Sequence, residues 1–281
     1  MLEAFKVAAY LDEAGEDPAT ACKVLKELNI HYAVLRRAWV NNILELSDRG
    51  CKKLRDILEE YEVTPIALIT TLGEVPAPSL VSLDQEYIQR AFNLASYFKT
   101  PIVRIQIGTK VKSDVTAEVD WWMEYIKQQS IAHNISPVFE ITPDSIYIRP
   151  TDIAALLAKH RKWQLLYDPV QLILKQKQDP FVRFWSLLKN RTAAIDVRDH
   201  KIGRGFKPVG FGDSNILLTL VDVINTQYKG WLFLEPNLGR RHGSHNTKED
   251  VFKMSVEAIK FGLQSKLGVN DDKPKRSDPK D

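Results

Sequence analysis

Eight short apolar runs alternate with eight helix-like stretches along this chain, and few folds accept that order. The runs are Lys6-Val-Ala-Ala-Tyr10, His31 to Arg36, Pro65-Ile-Ala-Leu-Ile-Thr70, Pro101 to Gly108, Pro137 to Ile141, Trp163 to Asp168, Thr192 to Asp196 and Trp231 to Glu235. Each is nearly continuous in apolar residues, as a strand must be in a parallel sheet covered on both faces. The stretches between them carry helix start signals. Asp17 precedes Pro18, Ser47 precedes Leu54 and Leu58, and Ser82 or Asp84 precedes Ile88 and Ala91. Later helices are expected from about Val115 to His133, from Asp152 to Lys162 capped by Thr151, from Asp179-Pro180 to Leu188, after Ser214, and from about Thr247 to Leu263. Right-handed β/α units repeated eight times close most naturally into a parallel eight-stranded (β/α)8 barrel, the TIM-barrel class. An open doubly wound sheet is the alternative, but no Gly-x-Gly-x-x-Gly follows the first strand.

A chain of 281 residues, 44% hydrophobic, is long enough to form one such barrel, expected over residues 1–268 as a single domain. Residues 269–281, rich in Lys, Asp and Pro, read as a disordered charged tail, and much of the net charge of +3 sits there. That balance does not point to nucleic acid. No apolar run reaches the roughly 18 residues of a membrane span, and no signal-peptide pattern opens the chain. Cys22 and Cys51 lack metal-ligand spacing and read as reduced thiols of a cytoplasmic protein.

Four consecutive runs end in an acid: Val-Phe-Glu140, Leu-Tyr-Asp168, Ala-Ile-Asp196 and Leu-Phe-Leu-Glu235. In a barrel the C-terminal strand ends share one face, where catalytic groups sit. Four carboxylates at one mouth repel one another unless protons or a cation intervene, and oxygen donors favour a hard divalent ion. The plainer alternative is four strand-end caps and salt-bridge partners. Arg36 leaves the second strand on the same face, where it could clamp a substrate carboxylate or phosphate, or pair with an acid. Trp39 is a candidate pocket wall. Gly203 to Asp213 reads as a flexible Gly-rich loop rather than a phosphate site. His31, His133 and His160 precede strands and read as structural, and Trp121 and Trp122 as helix packing.

These runs resemble those of the xylose isomerase-like TIM-barrel sugar isomerases and epimerases, over nearly the whole chain. The similar segments are Leu35-Arg-Arg-Ala-Trp-Val-Asn-Asn with Leu46-Ser-Asp48, Thr71-Leu-Gly-Glu-Val-Pro, Phe139-Glu140, Tyr167-Asp168-Pro169 and Leu234-Glu235. Val197-Arg-Asp199 with Pro208 to Asp213, and Arg240-Arg-His-Gly-Ser with Val251 to Glu257, complete the set. The resemblance implies one divalent metal, Mn²⁺ or Mg²⁺ before Co²⁺ or Zn²⁺, held by Glu140, Asp168, Asp196 and Glu235, with Glu140 and Glu235 also moving protons. It implies a sugar or polyol substrate met by Arg36, Trp39, Gln171, Arg198, His200 and Arg241, no nucleic acid or membrane partner, and room for a homo-oligomer. Two positions depart from the family pattern: Asp196 stands where the family has a metal-binding His, and Gln171 where many members have His or Asn. Four acids around one divalent ion leave about two negative charges over, which Arg198, His200, Arg204, Arg241 and His242 are placed to offset.

The reaction implied is isomerisation or epimerisation by proton transfer beside a carbonyl. The alternatives are dehydration of a keto-polyol, a barrel that has lost activity and binds a ligand or partner, and an AP-endonuclease-like DNA repair nuclease. The last needs a His-rich multi-zinc site, and strands two and three end without His.

Overall fold

A computed structural model describes residues 5–176, 179–238 and 246–268. Eight strands form a closed parallel barrel: β1 Lys6–Tyr10, β2 Tyr32–Leu35, β3 Thr64–Ile69, β4 Ile102–Arg104, β5 Ser136–Glu140, β6 Gln164–Tyr167, β7 Thr192–Val197 and β8 Trp231–Leu234. Each pairs with its sequence neighbour, and β8 closes on β1 with Ala8 opposite Phe233. The main outer helices are α1 Pro18–Glu27, α2 Asp48–Glu60, α3 Gln85–Phe98, α4 Thr116–His133, α5 Pro150–Lys159, α6 Pro169–Gln176, α7 Ile216–Asn225 and α8 Lys248–Leu267. No helix among the described residues is long and apolar enough to cross a membrane.

Strand side chains alternate between two cores. Ala8, Val34, Ile102, Val138, Leu166, Ala194 and Phe233 fill the barrel interior. Ala9, Leu35, Val103, Phe139, Leu165, Ile195 and Leu234 belong to the larger core that takes in the helices. This explains why the runs read as continuously apolar: both faces of each strand are covered.

Several local expectations change. The fourth run is shorter as a strand than as a sequence pattern, because beyond Arg104 the chain turns to a different partner. Gln106 N donates to Leu72 O at 2.8 Å and Gly108 N to Gly73 O at 3.1 Å. Gly73 stands there at φ +82°, where a Cβ would strike the Gln106 carbonyl. Asp17, Ser47 and Asp84 cap the helices they were expected to start, and Thr247, expected near the start of the last helix, forms a capping box with Asp250. Thr151 does not, since α5 starts one residue earlier at Pro150. Ser214 does not cap α7 either; its hydroxyl donates to Asp199 at 2.6 Å. The Gly203–Asp213 stretch is no plain loop. Asp199–Lys201 and Gly205–Lys207 form an antiparallel ribbon.

Candidate active site

Period-two alternation carries the chemistry. Two residues beyond each interior apolar side chain lies the next inward position. The pairs are Ala8 and Tyr10, Val34 and Arg36, Ile102 and Arg104, Val138 and Glu140, Leu166 and Asp168, Ala194 and Asp196, and Phe233 and Glu235. A polar layer therefore lies on top of an apolar one. Its bases come from β2 and β4, and its acids from β5 to β8. Two residues beyond Asp196, Arg198 enters from one step higher on the same side of the chain.

All five groups at the centre are buried: Glu140, Asp168, Asp196, Arg198 and Glu235 are each 6% exposed or less. Glu140, Asp196, Arg198 and Glu235 line a cleft of about 240 Å³ together with Tyr10, Arg36, Thr70, Arg104 and Gln171, and Asp168 lies behind its wall, paired with Arg198. Arg198 pairs with Asp168 through Nη2 and with Glu235 through Nη1 at 3.0 Å, and its Nη2 lies 3.8 Å from Glu140. Arg36 pairs with Glu235, with Asp12 at 2.9 Å and with Glu13 at 3.0 Å. Arg104 donates to Glu140 at 2.9 and 3.2 Å, to Thr70 O at 2.6 Å, and pairs with Glu74. Tyr10 Oη donates to Asp196 Oδ1 at 3.1 Å.

These surroundings push four chemically similar acids apart. Burial favours the neutral form of each, and nearby guanidinium groups oppose it. For Glu140 burial is the largest single influence, yet Arg104 and Arg198 together outweigh it and hold the carboxyl below its ordinary range. Glu235 stays raised: burial prevails over Arg198 and Arg36. Burial pushes Asp168 up to about 7 against the pull of Arg198. Asp196 is held well above the usual range by burial, then by Glu235, Asp168 and Glu140.

Oxygens of Glu140, Asp168 and Asp196 lie within 4.8 Å of one another. A buried triad of that spacing could hold a divalent metal, and its donor chemistry fits a hard ion. Glu235, expected as a fourth ligand, is not part of the triad; it faces Arg36 and Arg198. Gln171 lines the cleft as expected. Trp39 does not; it borders a neighbouring cleft beside Asp12 and Lys248, under the Lys53 ammonium at 5.0 Å. His200 lies on the ribbon, edge-on to Phe206 at 5.2 Å, and is not among the residues lining the acidic cleft. Arg241 and His242 lie outside the described residues. Tyr10 and Arg104 were not anticipated, although a base inside Ile102-Val-Arg-Ile-Gln-Ile107 was the available signal.

No protein-family model and no curated protein matches the chain. Solved structures do. A xylose isomerase domain protein from Planctomyces limnophilus matches with a TM-score of 0.68 at 16% identity, covering 95% of this chain and 99% of that one. The chain has a (β/α)8-barrel fold similar to that of xylose isomerase-like TIM-barrel proteins. A xylose isomerase-like TIM barrel protein from Mycobacterium smegmatis, in complex with magnesium, matches with a TM-score of 0.64 at 16% identity over 93% and 98% of the two chains. D-Psicose 3-epimerase from Clostridium cellulolyticum, solved with D-tagatose, gives 0.64 at 12% identity over 92% and 99%. Identities this low carry the fold alone. Within that fold, the acids of this chain sit at the C-terminal strand ends.

Proposed function

We propose that this protein is a sugar or polyol isomerase or epimerase that moves a proton on and off the carbon beside a carbonyl. The observation that carries the reading is the placement of two glutamates, Glu140 at the end of β5 and Glu235 just after β8, on the wall of one cleft. Arg104 donates twice to Glu140 and favours the ionised, proton-accepting form that a base uses. Glu235 is raised by burial, as a proton donor must be. Glu140 would take the proton, and Glu235 would return one to the opposite face or to the neighbouring carbon. Arg36 holds Glu235 in place, and Arg104 holds Glu140. Gln171 offers an amide to a sugar hydroxyl, and Tyr10 orients Asp196. A divalent ion held by Glu140, Asp168 and Asp196 would supply Lewis-acid polarisation of the substrate carbonyl, and carboxylate oxygens favour Mg²⁺ or Mn²⁺ over softer ions. The sugar epimerase among the similar structures supports the substrate class. The nuclease reading loses support, since the metal-spaced cluster found among the described residues holds three acids and no His. Both cysteines are free and buried, which suits the cytoplasmic reading.

Incorporation of deuterium from D₂O into a panel of ketoses tests the proposal. Wash-in at the carbon beside the carbonyl is the expected result, and release of water instead would point to dehydration. Silence across a broad panel, with the protein folded and Mn²⁺ supplied, would leave a barrel that binds without turning over.

A further inference from the structure

We infer that Arg198 is a built-in competitor for the cation position: its guanidinium and a divalent ion are alternative occupants of the oxygens of Asp168 and Glu140. The inference rests on reading Glu140, Asp168 and Asp196 as a metal cluster, and it holds whatever the substrate. Three observations carry it. The first is place. Arg198 pairs with Asp168 and lies 3.8 Å from Glu140, so it engages two of the three acids of the triad. A doubly charged ion at those oxygens would sit within a few ångströms of the guanidinium, and like charges at that separation in a buried site repel strongly. The second is division of labour. Arg36 and Arg104 are also engaged by acids outside the central set, Asp12 and Glu13 for the one and Glu74 for the other. The carboxylates paired with Arg198 are all central ones. The third is an unfinished network. Arg198 Nε is buried and makes no hydrogen bond. The carboxylates hold this side chain, and no further acceptor locks its stem. Phe206, on the ribbon that follows, already carries the guanidinium over its ring at 5.5 Å, an aromatic contact that asks for no acceptor.

The consequence is a metal affinity set by the protein's own cation. The wild-type chain holds a divalent ion weakly and exchangeably, because binding must first displace a charge-assisted pair. Removing that pair frees the oxygens and also removes a positive charge, so both changes act in the same direction.

Mn²⁺ titrated into the full-length chain after chelation and dialysis reads this directly, by calorimetry with spin resonance counting the bound ion. Arg198→Gln is expected to bind Mn²⁺ at least about tenfold more tightly than wild type, which corresponds to about 1.4 kcal/mol. Arg198→Lys keeps the charge but not the two-armed grip, and is expected to fall between them. Equal or weaker binding by Arg198→Gln overturns the competition and leaves the metal cluster standing. Absence of Mn²⁺ binding in both wild type and Arg198→Gln overturns the cluster as well. Thermal unfolding with and without Mn²⁺ covers the case of a poorly folded variant. Mn²⁺ is expected to raise the Tm of Arg198→Gln more than that of wild type. If Arg198→Gln stays unfolded even with Mn²⁺, Arg198→Lys decides, and an unchanged affinity there overturns the inference.

Discussion

Glu140 and Glu235 have the same side chain and about the same burial, yet their surroundings push them in opposite directions. Arg104 gives Glu140 two donors, whereas Glu235 receives Arg36 and Arg198 but loses more to burial. If Glu140 is the base, Glu140→Gln keeps the shape and removes proton acceptance. Deuterium wash-in should then fall by about 10²- to 10⁴-fold, mostly in kcat, and a change confined to KM would assign Glu140 to binding alone. Asp196 makes a separate prediction about stability. In the unfolded chain it ionises near the ordinary carboxylate value of about 3.9, while the fold retains its proton to much higher pH. Above that value the unfolded state has lost a proton that the folded state keeps, so stability falls as pH rises. Asp168, raised to about 7, adds a slope of the same sign that ends near its own folded value. Asn mimics the neutral form of Asp196. Asp196→Asn should therefore melt several degrees above wild type at about pH 8 and close to it at about pH 3, below the unfolded value. Parallel melting-temperature profiles for the two proteins would show that Asp196 is ionised in the fold.

Elements were legible in proportion to how local their causes are. The strands were readable because each buries both faces, and the caps at Asp17, Ser47 and Asp84 because each acts within three residues. The ribbon after β7 was not readable, since the group that orders it is the carboxylate of Asp199, acting over more than ten residues. Asp199 accepts from Gly210 N and Gly212 N at 2.9 Å each, from Ser214 N at 3.2 Å, and from the Ser214 hydroxyl. Gly212 is needed at that contact, because a Cβ would overlap the Asp199 carboxylate. The same demand took Ser214 away from the cap position it was expected to fill. Asp199→Ala leaves four backbone donors, those of His200, Gly210, Gly212 and Ser214, without their acceptor. It should cost about 2–3 kcal/mol in urea unfolding and loosen the segment that carries Arg198. A loss under about 0.5 kcal/mol, the range of an ordinary surface change, would mean that the ribbon holds without Asp199.

At the scale of the molecule, the barrel sorts charge by strand number. Acids on β5 to β8 announce themselves by ending apolar runs, so the acidic half of the mouth was readable. Arg36 was readable too, at the exit of β2, but Arg104 and Tyr10 were not, because Arg104 is flanked by Val103 and Ile105 and Tyr10 passes for the apolar end of β1. Counting two residues on from each interior side chain finds both. That rule also ties the tuning of the mouth to the apolar layer below it. Phe233 lies in the interior core, opposite Asp196 in the β8–β7 register and edge-on to Tyr10 at 6.3 Å between ring centres. It closes the floor beneath two strongly raised groups, Tyr10 and Asp196, and burial is the largest cause for each. Phe233→Ala would open a cavity there at a cost of about 3–5 kcal/mol. A cavity that touches carboxylates has polar partners for water, so it should hydrate rather than stay dry. Hydration weakens the burial that keeps the Asp196 proton in place, and its ionisation then moves back toward the ordinary range. Urea unfolding of Phe233→Ala at about pH 5 and about pH 8 should therefore show two changes together: lower stability at both, and a smaller fall between them than in wild type. A stability loss with the full wild-type slope retained would separate the packing of the barrel floor from the tuning of its acids.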